Sequence, residues 1–260
     1  MGMLRNWRRR RALRRHAIPA AHWQLLCESV PLLAAFEPAE QQRLHQLASI
    51  FLNEKTFQSA RDAKLDDRHR ELIAAFAAVP ILGLDSDWYD GFVEVIVYPA
   101  EFRTRHEVTD ESGVVHVADR VLSGESWQQG PVVLSLADVE DSLELDGYNV
   151  VLHELAHKID MRNGDANGMP PLHRDMNPRL WASTFQTAFD GLHADLAAGR
   201  ETLVDPYAAE GPDEFFAVLS EAFFECPREV RDEYPELYEQ LGCFYRQDPA
   251  ARDRLYLGAG

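Results

Sequence analysis

The sequence predicts an α+β fold, mostly helical, with a small mixed β-sheet packed beside a helix that carries His-Glu-x-x-His. Three observations point there. Apolar residues recur at three- and four-residue spacings toward both ends of the chain. β-branched runs bounded by glycine and proline gather between residues 92 and 135. Helical signals on both sides of one strand-rich stretch, rather than alternating with it, fit segregated layers.

Taken in order, residues 1–19 read as a basic flexible tail. Seven arginines fall within residues 1–16 and no acid does. The apolar core and cleavage site of a secretory leader are missing, which predicts a cytoplasmic location. Residues 20–260 read as a single domain with N-terminal helices over 20–83, the small sheet over 92–135 and the motif-bearing helices over 147–257. Leu25, Leu26, Val30 and Leu33, then Leu44, Leu47, Ile50 and Phe51, mark helix over 20–54, broken by Pro31 and Pro38. Thr56–Ser59 suits a short strand. Leu72, Ile73, Phe76 and Val79 mark a helix from Asp66 to about Leu82. Strands are expected at 92–98, within 113–122 and at 131–135, and helices at about 148–162, 178–198, 213–225 and 235–246.

Net charge excludes some functions. The chain carries 26 basic and 43 acidic residues, net −17, and without the seven tail arginines the body is more acidic still. Such a surface repels phosphate backbones, so the folded part is not expected to bind nucleic acid. The tail is either a solvated extension or a contact for RNA, anionic lipid or an acidic partner. No segment has the apolar length of a membrane span. The odd set Cys27, Cys226 and Cys243, widely spaced and without a CxxC pair, reads as buried apolar thiols of a reducing compartment.

The chemistry lies in Val150-Val151-Leu152-His153-Glu154-Leu155-Ala156-His157-Lys158-Ile159-Asp160. On a helix His153 and His157 are one turn apart on one face, so both imidazoles can reach a single zinc ion. Glu154 sits beside them, placed to take a proton from a metal-bound water. A catalytic zinc needs a third protein ligand. Asp160 is too far along the helix and is either an acceptor supporting His157 or a solvated carboxylate. In the amphipathic helix 213–225, Glu214 and Glu221 share one face. A carboxylate entering that aromatic-lined interface is costly unless a cation meets it. Glu214 is therefore the preferred third ligand, with Glu221 as its support; the alternative is that one or both face water. Tyr207, seven residues before Glu214, is either a packed aromatic or a phenol for a developing oxyanion. Strand 93–97 or strand 132–135 could align a substrate backbone.

These segments resemble the Mlc titration factor A family of bacterial zinc peptidases. The likeness rests on His153 to Asp160 with the following Arg162-Asn163-Gly164-Asp165, on Tyr207-Ala208-Ala209, and on Glu214 through Glu221 with Phe223-Phe224. Trp88-Tyr89-Asp90-Gly91-Phe92, Ser126 through Pro131 and Phe244 through Pro249 extend it over about residues 20–255. The resemblance implies a zincin-like domain of gluzincin type: one zinc per chain on His153, His157 and Glu214, Glu154 as base, and Tyr207 at the oxyanion. The Tyr207-to-Glu214 spacing is also similar to that of the catalytic domain of anthrax lethal factor. It further implies aminopeptidase-like hydrolysis of peptide substrates and binding of a DNA-binding transcriptional repressor of glucose uptake. The competing reading is a non-catalytic regulatory protein that sequesters such a repressor, its zinc being structural.

Overall fold

The computed structural model describes residues 16–252, with Trp7, Arg9 and Leu13 before them. Residues 101, 110–114, 123 and 127–129 lie outside the description, and over 102–109, 115–122 and 124–126 the backbone path alone is described. The other residues of the segment expected to be a free tail also lie outside it. Arg9 pairs with Glu54 and Asp87. Ile18 N–H donates to Ser49 Oγ at 3.1 Å, and its carbonyl faces His45 Nε2 at 2.8 Å.

The chain enters through α1 (Ala20–Ser29), α2 (Pro31–Ala34) and α3 (Pro38–Glu54). Pro31 and Pro38 divide the helices as expected, each at a first-turn position where the missing N–H costs nothing. α4 (Asp67–Ala78) starts at a reciprocal cap between Asp66 and His69. Every side chain from Leu72 to Ala78 is buried, so α4 runs through the core.

The main sheet has the order β1 (Thr56–Ser59), β2 (Glu94–Tyr98), β6 (Val132–Ser135), β5 (Gly124–Ser126). β1 and β6 flank β2 in parallel, and β5 runs antiparallel to β6, which makes the sheet mixed. β3 (Phe102–Thr109) and β4 (Val115–Leu122) form a separate antiparallel pair, in register from Phe102 opposite Leu122 to Thr109 opposite Val115. Strand 102–109 carries three charged residues and little apolar alternation, so its sequence gives no strand signal. β6 is buried at all four positions, as a strand covered on both faces requires.

Beyond the sheet come α5 (Leu136–Asp141), α6 (Val150–Asp160), α7 (Pro178–Ala197), α8 (Pro212–Glu225), α9 (Pro227–Glu233) and α10 (Pro235–Tyr245). α5 and α9 have six and seven residues, too short for apolar periodicity to show in sequence. α8 is buried from Phe215 to Glu225, a helix enclosed on all sides. Aromatic rings lock it to its neighbours: Trp181 stacks on Phe185 with centroids 4.3 Å apart, and Phe216, Phe244 and Tyr245 pack against one another. α6 lies between α8 on one side and β5 and β6 on the other. That position sets the site. Among the cysteines, Cys27 and Cys226 are half-buried, while Cys243 is exposed, contrary to the expectation of three buried thiols.

Candidate metal centre

α6 begins where Asn149 caps it, its Oδ1 accepting from Leu152 N–H at 3.1 Å. Val151, Leu152, Leu155, Ala156 and Ile159 are buried at 1 % exposure or less, fixing the rotation of the helix. His153 and His157 consequently leave it toward α8. α8 begins at Pro212 after Gly211, and its buried phenylalanines turn Glu214 back toward α6.

The three side chains converge. His153 Nε2 lies 3.1 Å from Glu214 Oε2, His157 Nε2 lies 3.3 Å from the same oxygen, and the two Nε2 atoms are 3.2 Å apart. A tetrahedron around an ion with ligands at about 2.0–2.1 Å has edges of about 3.3 Å. Two imidazole lone pairs and a carboxylate oxygen thus form one face of such a tetrahedron. His153, His157 and Glu214 are the one His/Cys/Asp/Glu group found among the described residues that could hold a metal ion. Two neutral nitrogens and one anionic oxygen suit a zinc-like divalent cation.

Glu221 supports this face, though not through Glu214. Its Oε1 accepts from His153 Nδ1 at 2.7 Å and its Oε2 from Asn149 N–H at 2.5 Å. With Nε2 turned to the ligand face, the proton belongs on Nδ1, and the Glu221 carboxylate holds that tautomer. Burial disfavours a charged His153 ring, and the Glu221 and Glu214 carboxylates outweigh it, holding the imidazole well above its ordinary range. Burial also opposes the Glu214 charge, but the two histidines hold this carboxylate far below the usual range. Sequence reasoning placed Glu221 on the right face and gave it the wrong partner. The cap residue Asn149, which ties Glu221 to the start of α6, it missed; the signal was an asparagine one residue before the apolar run.

Glu154 is 2 % exposed, and its Oε2 has no hydrogen-bond partner among the described residues. Burial raises its carboxyl to about 7, with His153 and His157 pulling the other way. Tyr207 sits in a short 3₁₀ turn, Pro206–Glu210, whose start is capped by Asp205 Oδ1 accepting from Tyr207 N–H at 2.8 Å. Its ring lies 6.2 Å from that of His153. Burial and the Glu214 charge, to which the phenol is hydrogen-bonded, hold its proton on well above the ordinary tyrosine range.

Asp160 takes neither role expected of it. Fully buried, it accepts through Oδ2 from Asn167 N–H and Gly168 N–H, both at 2.7 Å. Gly168, at φ +74°, packs against Pro212, where a Cβ would lie 2.4 Å from the carbonyl oxygen. Asp160 therefore links the end of α6 to the start of α8. His157 Nδ1 and Asp160 Oδ1, one helical turn apart, are both buried without a partner among the described residues.

The strands differ from expectation in their access. β2 and β6 are each paired on both sides, so neither offers a free edge; β5, the outer strand next to α6, has one among the described residues.

A family model described as glucose-regulated metallo-peptidase M90 matches residues 4–246. Proteins called Mlc titration factor A from Yersinia pestis (strain Pestoides F) and Yersinia pseudotuberculosis serotype O:1b (strain IP 31758) are each 41% identical to this chain over 228 residues. Each alignment covers 86% of this chain and 84% of the relative.

Proposed function

Because this chain belongs to the glucose-regulated metallo-peptidase M90 family, we propose that it is a zinc-dependent, aminopeptidase-like peptidase. His153, His157 and Glu214 hold one zinc ion per chain, Glu154 is the general base, and Tyr207 serves the oxyanion. The observation that carries this reading is the triangle of donor atoms, 3.1–3.3 Å on each side, with Glu154 buried beside it and its Oε2 without a partner among the described residues.

Bound there, the ion would supply Lewis acidity to a water molecule and to the substrate carbonyl. The remaining work falls to the chain. Glu154, its proton affinity raised into the neutral range by burial, accepts the proton of the attacking water and returns it to the leaving amine. Tyr207 keeps its phenolic proton at neutral pH and donates to the oxygen on which negative charge develops. The free edge of β5 pairs with the backbone of the peptide and sets its direction past Glu154. Glu221 and Asn149 keep His153 from rotating.

The name of the Yersinia relatives, Mlc titration factor A, supports a second role, binding of an Mlc-like transcriptional repressor of sugar uptake. In the alternative reading this is the sole role and the metal is structural. A structural zinc usually fills all four positions with protein ligands, whereas three protein donors converge here. We also place the protein in the cytoplasm: Cys27, Cys226 and Cys243 are all free, and no helix among the described residues is long and apolar enough to cross a membrane.

The test is a panel of aminoacyl p-nitroanilides with metal analysis, comparing wild type with Glu154→Gln. One zinc in both proteins and turnover only in wild type supports the peptidase. Zinc in both and turnover in neither moves the assignment to the regulatory binding protein.

A further inference from the structure

A groove of about 580 Å³ opens beside the candidate metal centre, with His153, Glu154 and Tyr207 in its wall. It follows two helices away from the ligands. On the α8 side Val218 and Ala222 succeed Glu214 at four-residue intervals, each one turn farther out, and Glu229 of α9 ends the series. On the α6 side the wall runs backward from His153 through Val150 to Asp146. Val218, Ala222 and Val150 thus give the floor its apolar positions, Glu221 between them being turned to His153; Asp205 stands beside Tyr207 near the metal end, and Asp146 and Glu229 make the far end acidic. Among the described residues no lysine or arginine lines the groove.

Two further features mark it as a ligand groove rather than a chance cleft. Glu154, nearly fully buried and with Oε2 unpartnered among the described residues, faces the same space. Tyr148 and Leu203, two large apolar side chains exposed at 38 % and 39 %, also line it.

We propose that this groove binds a peptide segment bearing lysine or arginine about three to five residues from the scissile bond. The spacing follows from the helices. Asp146 lies seven residues before His153, three of them along α6 and four before it, a span between about 10 Å at 1.5 Å per residue throughout and about 18 Å if those four are extended at about 3.3 Å each. An extended peptide covers that distance in about three to five residues. Its aliphatic side chains meet Val150, Val218 and Ala222, and its cation meets Asp146 and Glu229. The charge of the groove excludes acidic segments in the same register. Single-residue anilides leave this surface empty and forgo the remote binding that can be spent at the reacting centre.

This proposal rests on the peptidase reading, and the experiment separates the two. Fluorescein-labelled alanine heptapeptides carrying lysine or glutamate at one scanned position are compared for cleavage by the zinc-loaded wild type. They are compared for binding, by anisotropy, to Glu154→Gln. Lysine is expected to exceed glutamate roughly 5- to 20-fold at one position among about the third to the fifth at low salt, less at about 0.5 M. In Asp146→Asn/Glu229→Gln the lysine-to-glutamate ratio should fall toward one. Equal cleavage and equal binding of the two peptides overturns the groove assignment and leaves the peptidase standing. Lysine-selective binding that the double variant abolishes, without cleavage of any peptide, supports the groove and overturns the peptidase. A lysine preference that survives the double variant overturns the groove assignment.

Discussion

Replacing Glu221 by glutamine should weaken metal binding without unfolding the protein, and the size of the effect follows from its two contacts. In the native site one oxygen accepts from His153 Nδ1 at 2.7 Å and the other from Asn149 N–H at 2.5 Å. A glutamine has one acceptor oxygen and offers an NH₂ where the second acceptor stood. Turned toward Asn149, it sets its donor against the Nδ1–H of His153; turned the other way, it sets it against a backbone N–H. Either way one hydrogen bond to a charged acceptor is lost, about 1.5–3 kcal/mol. If the loss falls on the His153 side, zinc affinity drops about 10- to 100-fold, the range typical of groups that orient metal ligands. The assay is competition for zinc against a chromophoric chelator at neutral pH, with the melting temperature of the metal-free variant as a control. An affinity within threefold of wild type would refute the claim that Glu221 orients His153.

Two other outcomes follow from the same geometry. Gly168→Ala places a Cβ 2.4 Å from the Pro212 carbonyl oxygen at a φ of +74°; calorimetry should show a melting temperature lower by roughly 5 °C or more, and an unchanged one would contradict the close packing of that loop on α8. Burial, ahead of its other neighbours, holds the Glu225 carboxyl well above the ordinary range. The native state therefore keeps a proton that the unfolded chain releases near pH 4.3, and stability falls as pH rises through the window above that value. Melting curves of Glu225→Gln against wild type should shift in the variant's favour between pH 5 and pH 8, and parallel curves would dismiss the effect.

Much of this was legible in the sequence because strong local signals agreed with the tertiary packing. His153 and His157 lie on a helix whose apolar residues are those the structure buries, and Glu214 could be chosen because an acid among phenylalanines needs a cation. Pro31 and Pro38 break the N-terminal helices where they stand in the chain. What failed to show depends on partners distant in sequence. Glu221 could be placed on a face, but its contact with His153 depends on the crossing of α6 and α8. Asp160 read as an acceptor for His157 or a solvated carboxylate and instead holds the backbone of residues 167 and 168, a contact no periodicity encodes. β5, three residues long with no apolar alternation, is a strand only because β6 lies beside it.

The central claim is that His153, His157 and Glu214 hold one catalytic ion. The most direct test titrates metal-free protein with zinc while following bound metal and peptide hydrolysis together, for wild type and Glu214→Ala. Binding and hydrolysis should rise in step and saturate at one equivalent in wild type, and both should be severely weakened in Glu214→Ala. Hydrolysis that needs no metal, or zinc bound equally well without the Glu214 carboxylate, would contradict the account.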